Sequence, residues 1–292
     1  PLNWRTIEPA QSNYNWEATD AVVAWADERA LALSAGPLID FSTFGLPDWL
    51  LPWEGDLPSL ASFMCDYIET AVARYRDRIR RWTLCTGSNN ASVLGLGEDD
   101  LIRLTARLAE AAWGIDTQLE LVIGLAQPWG DYLVSEEHTY SPFVFADTLL
   151  RAGLSFAAFD LEWFMGVSPR GTYFRDLLEG SRLLDVFGLL GVPIQLTLSY
   201  PASTGVDPAA DPRQQVGSMG HFRDGLRPDS QAEWAEQAAS LALAKPHVSA
   251  VFWDHFIDSA PHRIPNGGLI DARGTVHPTL ERLRKLRRAH LQ

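Results

Sequence analysis

The sequence is poor in lysine, poor in cysteine and free of long apolar runs. Lysine occurs only at Lys245 and Lys285, and the formal net charge is −13. That balance argues against a nucleic-acid groove. The one basic cluster, Arg282-Leu283-Arg284-Lys285-Leu286-Arg287-Arg288, lies at the C-terminus. There it complements the negative end of a last helix and reads as a solvated helix face. No stretch is long and apolar enough to suggest a membrane-spanning helix. Cys65 and Cys85 are the only cysteines, two thiols in apolar segments and no disulfide framework. No Cys-x-x-Cys and no pair of histidines four apart is present, so neither a metal nor a cofactor is expected. No signal peptide is visible at Pro1, and the compartment stays open.

What is present is a long chain, 292 residues with 46% hydrophobic content, enough for a large core. Short apolar runs alternate with amphipathic stretches. The strand candidates are Leu31–Phe41, Trp82–Cys85, Leu119–Ala126, Phe156–Glu162, Ile194–Tyr200 and Val248–Trp253. Between them lie helices with apolar positions three and four apart, such as Leu60, Met64, Tyr67, Ala71 and Tyr75. A second carries Leu101, Leu104, Leu108 and Ala112 behind Glu98-Asp99-Asp100, and a third opens on a capping box, Ser230 with Glu233. Such alternation predicts an α/β fold with a parallel sheet covered by helices. No Gly-x-Gly-x-x-Gly follows a first strand, so a doubly wound sheet lacks its usual fingerprint. The expectation is a (β/α)8 TIM barrel forming a single domain over 1–292. Six strands are visible where a closed barrel has eight, and Pro1–Trp16 reads as a loop. The first two strands are therefore expected to be missing from the N-terminus.

In a parallel barrel the chemistry sits at the C-terminal ends of strands. Those ends carry Asp40, then Thr86 through Asn90, then Gln127-Pro128-Trp129-Gly130-Asp131-Tyr132. They continue with Asp160-Leu161-Glu162-Trp163, Ser199-Tyr200-Pro201 and Trp253-Asp254-His255. Carboxylates beside tryptophans suit sugars, whose CH faces stack on indoles while hydroxyls meet polar groups. Trp82, Trp113 and Trp234 fall within elements and read as core. Trp129, Trp163 and Trp253 fall just past strands and read as pocket-lining. Asp48, Asp56, Asp99 and Asp100 read as helix caps, and Asp271 as a turn residue. Asp160 and Glu162 are two apart in a strand and share a face. Two neighbouring carboxylates repel, which can keep one protonated near neutral pH as a general acid requires. An ion pair with Arg175 or another arginine is the competing account.

The order of segments resembles the family 10 glycoside hydrolases, the retaining xylanases, across nearly the whole chain. Trp4-Arg5-Thr6-Ile7-Glu8-Pro9 through Tyr14-Asn15-Trp16 and Asp20 resembles the stretch after that family's second strand. Gly36 to Trp49 resembles its third strand and loop, and Tyr75 to Trp82 the run into its fourth. Pro193–Thr197 resembles the start of the seventh, and Phe252-Trp253 with Gly268–Asp271 and His277-Pro278 the eighth and the closing segment. The resemblance implies the barrel, the two absent strands and a polysaccharide partner of plant or microbial type.

The departures bear on the chemistry. The family's acid/base glutamate falls on Gly87 and its nucleophile on Leu198, and neither can do the work. Pro37 and Ser42 stand near the family's paired histidines. A retaining mechanism needs carboxyls about 5–5.5 Å apart and an inverting one about 6.5–9.5 Å. One expectation is therefore a hydrolase with relocated carboxylates. Glu162 would be the principal group, with Asp160, Asp40, Asp131 or Asp254 beside it, and Trp49, Asn89, Trp129, Asp131, Tyr132, Trp163, Trp253 and Asp254 holding substrate. The alternative is a catalytically inactive glycan-binding module of a larger protein, with further domains or an N-terminal segment beside it. The long Pro201–Arg227 connection is a candidate cover for the site.

Overall fold

The computed structural model describes residues 2–134 and 138–290. They fall into two compact units, Pro1–Leu125 with Tyr132–Phe159, and Ala126–Asp131 with Asp160–Gln292.

The first unit opens on a single helical turn, α1 (Trp4–Ile7), where a loop was expected. Asn3 caps it by accepting from the Thr6 amide. Buried Glu8 then accepts from the Trp4 indole and the Ser12 amide, both at 2.6 Å. The Trp4 ring stacks on Tyr67 at 4.9 Å. Aromatic burial therefore orders a segment whose composition reads as irregular. Helix α2 (Glu17–Asp27) follows. The predicted strand Leu31–Phe41 is broken into β1 (Leu33–Ala35) and β2 (Ile39–Asp40). Gly36 lies between them at φ +128, and a Cβ there would sit 2.4 Å from the Thr83 carbonyl. Pro37 beside it has no N–H for a ladder.

Helix α3 (Leu57–Tyr75) starts at Asp56, which accepts from the Ser59 amide. It buries the predicted face, Leu60, Met64, Tyr67, Ala71 and Tyr75, and Ile68 with it. Strand β3 (Ile79–Thr86) pairs in parallel with β1, with β2 and with β4 (Glu120–Leu125). Helix α4 (Glu98–Ile115) packs on α3 and buries Leu101, Leu104 and Leu108. Helix α5 (Pro142–Arg151) is capped by Ser141.

The second unit takes in most of β5 (Ala158–Phe164). A two-residue ribbon follows, β6 (Val167–Ser168), then α6 (Leu177–Gly188), capped by Asp176. Strand β7 (Ile194–Ser199) leads into the long connection, and β8 (Gln215–Val216) within it pairs antiparallel with β6. Helix α7 (Pro228–Leu243) begins two residues before the expected capping box. Pro228 supplies the first-turn φ, and Ser230 is buried inside the helix. Strand β9 (Val248–Trp253) pairs in parallel with β7, and α8 (Pro278–His290) closes the unit with its basic residues largely exposed.

Candidate functional site

The carboxylates predicted at the ends of β5 and β9 lie together in the second unit. Glu162 is 3% exposed. Its Oε1 accepts from Arg263 Nη1 at 2.8 Å and from Arg170 Nη2 at 3.2 Å. Arg263 also donates to Asp254 Oδ1, so one guanidinium bridges two buried carboxylates. Asp254 passes its other oxygen to His255 Nδ1 at 3.1 Å. Burial alone would raise the Asp254 pKa, but Arg263 and His255 outweigh it and hold the carboxyl well below its ordinary value. The same surroundings lift His255. Burial opposes the imidazolium, yet the hydrogen bonds and charges of Asp254 and Asp258 carry it up to about 9.

Asp160 differs in its surroundings. Its Oδ2 accepts from Thr197 Oγ1 on β7 at 2.7 Å. Its buried Oδ1 has no hydrogen-bond partner among the described residues. Burial, helped by the Glu162 charge and opposed by the Thr197 bond, pushes this carboxyl up to about 7. Glu162 is thus held by guanidiniums, whereas burial favours the protonated form of Asp160.

The ion pair foreseen as the competing account for Glu162 also exists, with other arginines. Arg175 instead holds Asp131 at 2.7 Å, and Thr172 donates to the same carboxylate. Asp40, Trp49, Asn89 and Tyr132 belong to the first unit. Asp40 ends β2 in register with Thr86 and is 6% exposed. The turn to Gly45 presses on it, for a Cβ on Gly45 would sit 2.3 Å from that of Asp40.

The aromatic set needs correction. Trp163 lies inside β5, 1% exposed, and offers no face to a ligand. Its ring fills the space over Gly180 and meets Trp234 edge-on. Tyr132, also 1% exposed, spends its hydroxyl on the Tyr140 carbonyl. Asn89 is buried in the turn after β3. Trp49 donates its indole N–H to the Glu8 carbonyl and meets Trp4 and Phe63 edge-on. Trp253 is half-buried and donates to the Gly267 carbonyl. Trp129, half-buried, lines an open depression of about 510 Å³ with Arg175, Glu179, Arg182, Leu183 and Val186.

Arg170, Arg263, Thr197 and the group Asp207, Asp258 and His262 were not foreseen. Arg170 is 8 residues and Arg263 101 residues from Glu162, and such separations leave no local pattern. The available signal was chemical: a buried carboxylate must be paired, and arginine far outnumbers lysine in this chain.

Comparison with known proteins fits the architecture. The model of Glycosyl hydrolase family 10 matches residues 1–86. The chain is 27% identical over 262 residues to endo-1,4-beta-xylanase B of Thermotoga neapolitana, covering 86% of this chain and 67% of that protein. It is 27% identical over 126 residues to endo-1,4-beta-xylanase 2 of Aureobasidium pullulans, a match spanning 40% of this chain and 34% of the fungal protein. Native xylanase 10B of Thermotoga maritima superposes with a TM-score of 0.68 at 16% identity, over 99% of this chain and 84% of that one. Xylanase 10B of Thermotoga petrophila, in complex with xylobiose, gives 0.66 at 17% identity over 100% and 84%. The fold is the (β/α)8 barrel of the family 10 xylanases.

Proposed function

We propose that this chain, built on the xylanase fold, binds a xylan-type oligo- or polysaccharide without hydrolysing it. One observation carries the reading: Glu162 is buried and gripped by Arg170 and Arg263. A nucleophile or general base must bring a lone pair to the reacting centre. A carboxylate shared between two guanidiniums and closed to solvent is ill-suited to do so. Asp254 is engaged by Arg263 and His255, and Asp131 by Arg175 and Thr172. By the resemblance of segments, the two family glutamates fall on Gly87 and on buried Leu198.

The Trp129 depression supplies a recognition surface, an indole for a pyranose face with Arg175, Glu179 and Arg182 for hydroxyls. Calorimetry with xylo-, cello- and manno-oligosaccharides, run beside a reducing-sugar assay, tests the proposal. Saturable binding without product is expected, and Trp129→Ala should weaken it by about tenfold, the scale of one stacked aromatic. Product release above the buffer rate would defeat it.

Asp160 favours a second reading, hydrolysis with relocated groups. Its carboxyl is raised to about 7 and its Oδ1 lacks a partner among the described residues, which suits a general acid. On that reading Asp160→Asn abolishes the product that the assay would detect.

A further inference from the structure

We infer that His255, Asp258 and His262 form a divalent metal site of zinc type, with an Asp207 oxygen at hand as the fourth ligand. The four side chains come from the exit of β9, the loop after it and the connection after β7. Oδ1 of Asp258 lies 2.8 Å from His255 Nε2 and 3.8 Å from His262 Nε2. Asp207 Oδ2 lies 2.9 Å from His262 Nε2. The ligand atoms of His255, Asp258 and His262 all fall within 4.8 Å of one another. Ligands about 2.0 Å from a tetrahedral zinc stand about 3.3 Å apart, so small shifts suffice to enclose an ion.

The outer contacts point the same way. His255 Nδ1 faces Asp254 and His262 Nδ1 faces the Ala260 carbonyl at 2.8 Å. A ring that gives its Nδ1–H to a carboxylate or carbonyl presents the Nε2 lone pair inward, the arrangement found behind metal-bound histidines. Both Nε2 atoms here face carboxylate oxygens, a contact that either a proton or a bound cation can bridge. Protons on both rings would place two imidazoliums 4.2 Å apart, stacked at 15°. A single divalent ion replaces the two Nε2 protons, releases them to solvent, and draws the rings apart until each lone pair meets it.

Charge and packing agree. The side chains of Asp207, Asp254 and Asp258 are 3–4% exposed, and Arg263 already divides itself between Asp254 and Glu162. Soft sulfur ligands are absent and imidazole with carboxylate suits zinc over magnesium or calcium. The backbone has made room. A Cβ on Gly268 would sit 2.5 Å from Asp258 Oδ1, and one on Gly267 2.9 Å from His255 Cε1. His255, at 12% side-chain exposure, marks the entry. The ion would pin the segment that carries Arg263 against Glu162.

The test uses the full chain, stripped with a chelator and titrated with Zn²⁺ against a chromophoric competitor. One tightly bound equivalent is expected, with Co²⁺ giving the visible d–d bands of low coordination number. Asp258→Asn and His262→Gln should each remove the tight site. Asp254→Asn should weaken it by about tenfold or more, the usual effect of a partner behind a ligand. His221→Gln, at an exposed histidine outside the cluster, should leave it unchanged. Should a ligand variant fail to fold, the Co²⁺ spectrum of the unaltered chain still decides. Failure to bind either ion, or tight binding that survives Asp258→Asn, overturns the inference.

Discussion

Arg263 ties two of the site's buried carboxylates together. It bonds Glu162 and Asp254 at once, with 17% of its side chain exposed. Removing one partner of a buried pair leaves an uncompensated charge and costs about 3–5 kcal/mol. Arg263→Ala is expected to lose that much unfolding free energy in urea titration at pH 7, and less at a pH where the carboxylates take up protons. Asp160 makes the opposite kind of prediction. Its ordinary value is 3.8 and its folded value is about 7, so between these the unfolded chain gives up a proton that the folded chain keeps. Its contribution to stability is whole below the ordinary value and is lost as pH rises towards the folded one. Asp160→Asn should flatten the fall in stability across that interval and be the more stable protein at its upper end, as measured by denaturant melts at several pH values.

At the scale of elements, α6 meets β5 where glycine stands opposite an indole. A Cβ on Gly180 would lie 2.2 Å from the Trp163 ring, and that ring is buried on all sides. Gly180→Ala should therefore cost about 1–3 kcal/mol as an overpacked contact. Joined with Trp163→Leu it should cost less than the two single losses added, because the second change empties the space the first one needs. Thermal melts of the three variants provide the check. This contact also shows what could be read in advance. The alternation around Phe159 and Leu161 predicts β5, and the spacing of Leu60, Met64 and Tyr67 predicts α3 and its inward face. Trp163 was misplaced because a strand's end cannot be located from periodicity, and two further residues of β5 turn a rim position into a core one. The β6–β8 ribbon, two residues a side, is too short for any period to show. Shared-face reasoning found Asp160 and Glu162, whereas the arginines that decide the state of Glu162 reach it from loops.

Across the whole molecule the formal charge of −13 sets a background that an uncharged sugar ignores and an acidic partner does not. Salt shortens the Debye length from about 10 Å at 0.1 M to about 3 Å at 1 M. Affinity for a neutral oligosaccharide, measured by calorimetry at both salt levels, should shift by less than about twofold. A steep salt dependence would mean that the partner is ionic. The small ribbon between β6 and β8 has a wider reach than its size. It anchors the connection after β7, whose Gln214 accepts from the Arg170 amide at 3.1 Å. Arg170 in turn restrains Glu162. Trimming that connection would slacken the backbone that carries Arg170 and leave Glu162 moored by Arg263 alone.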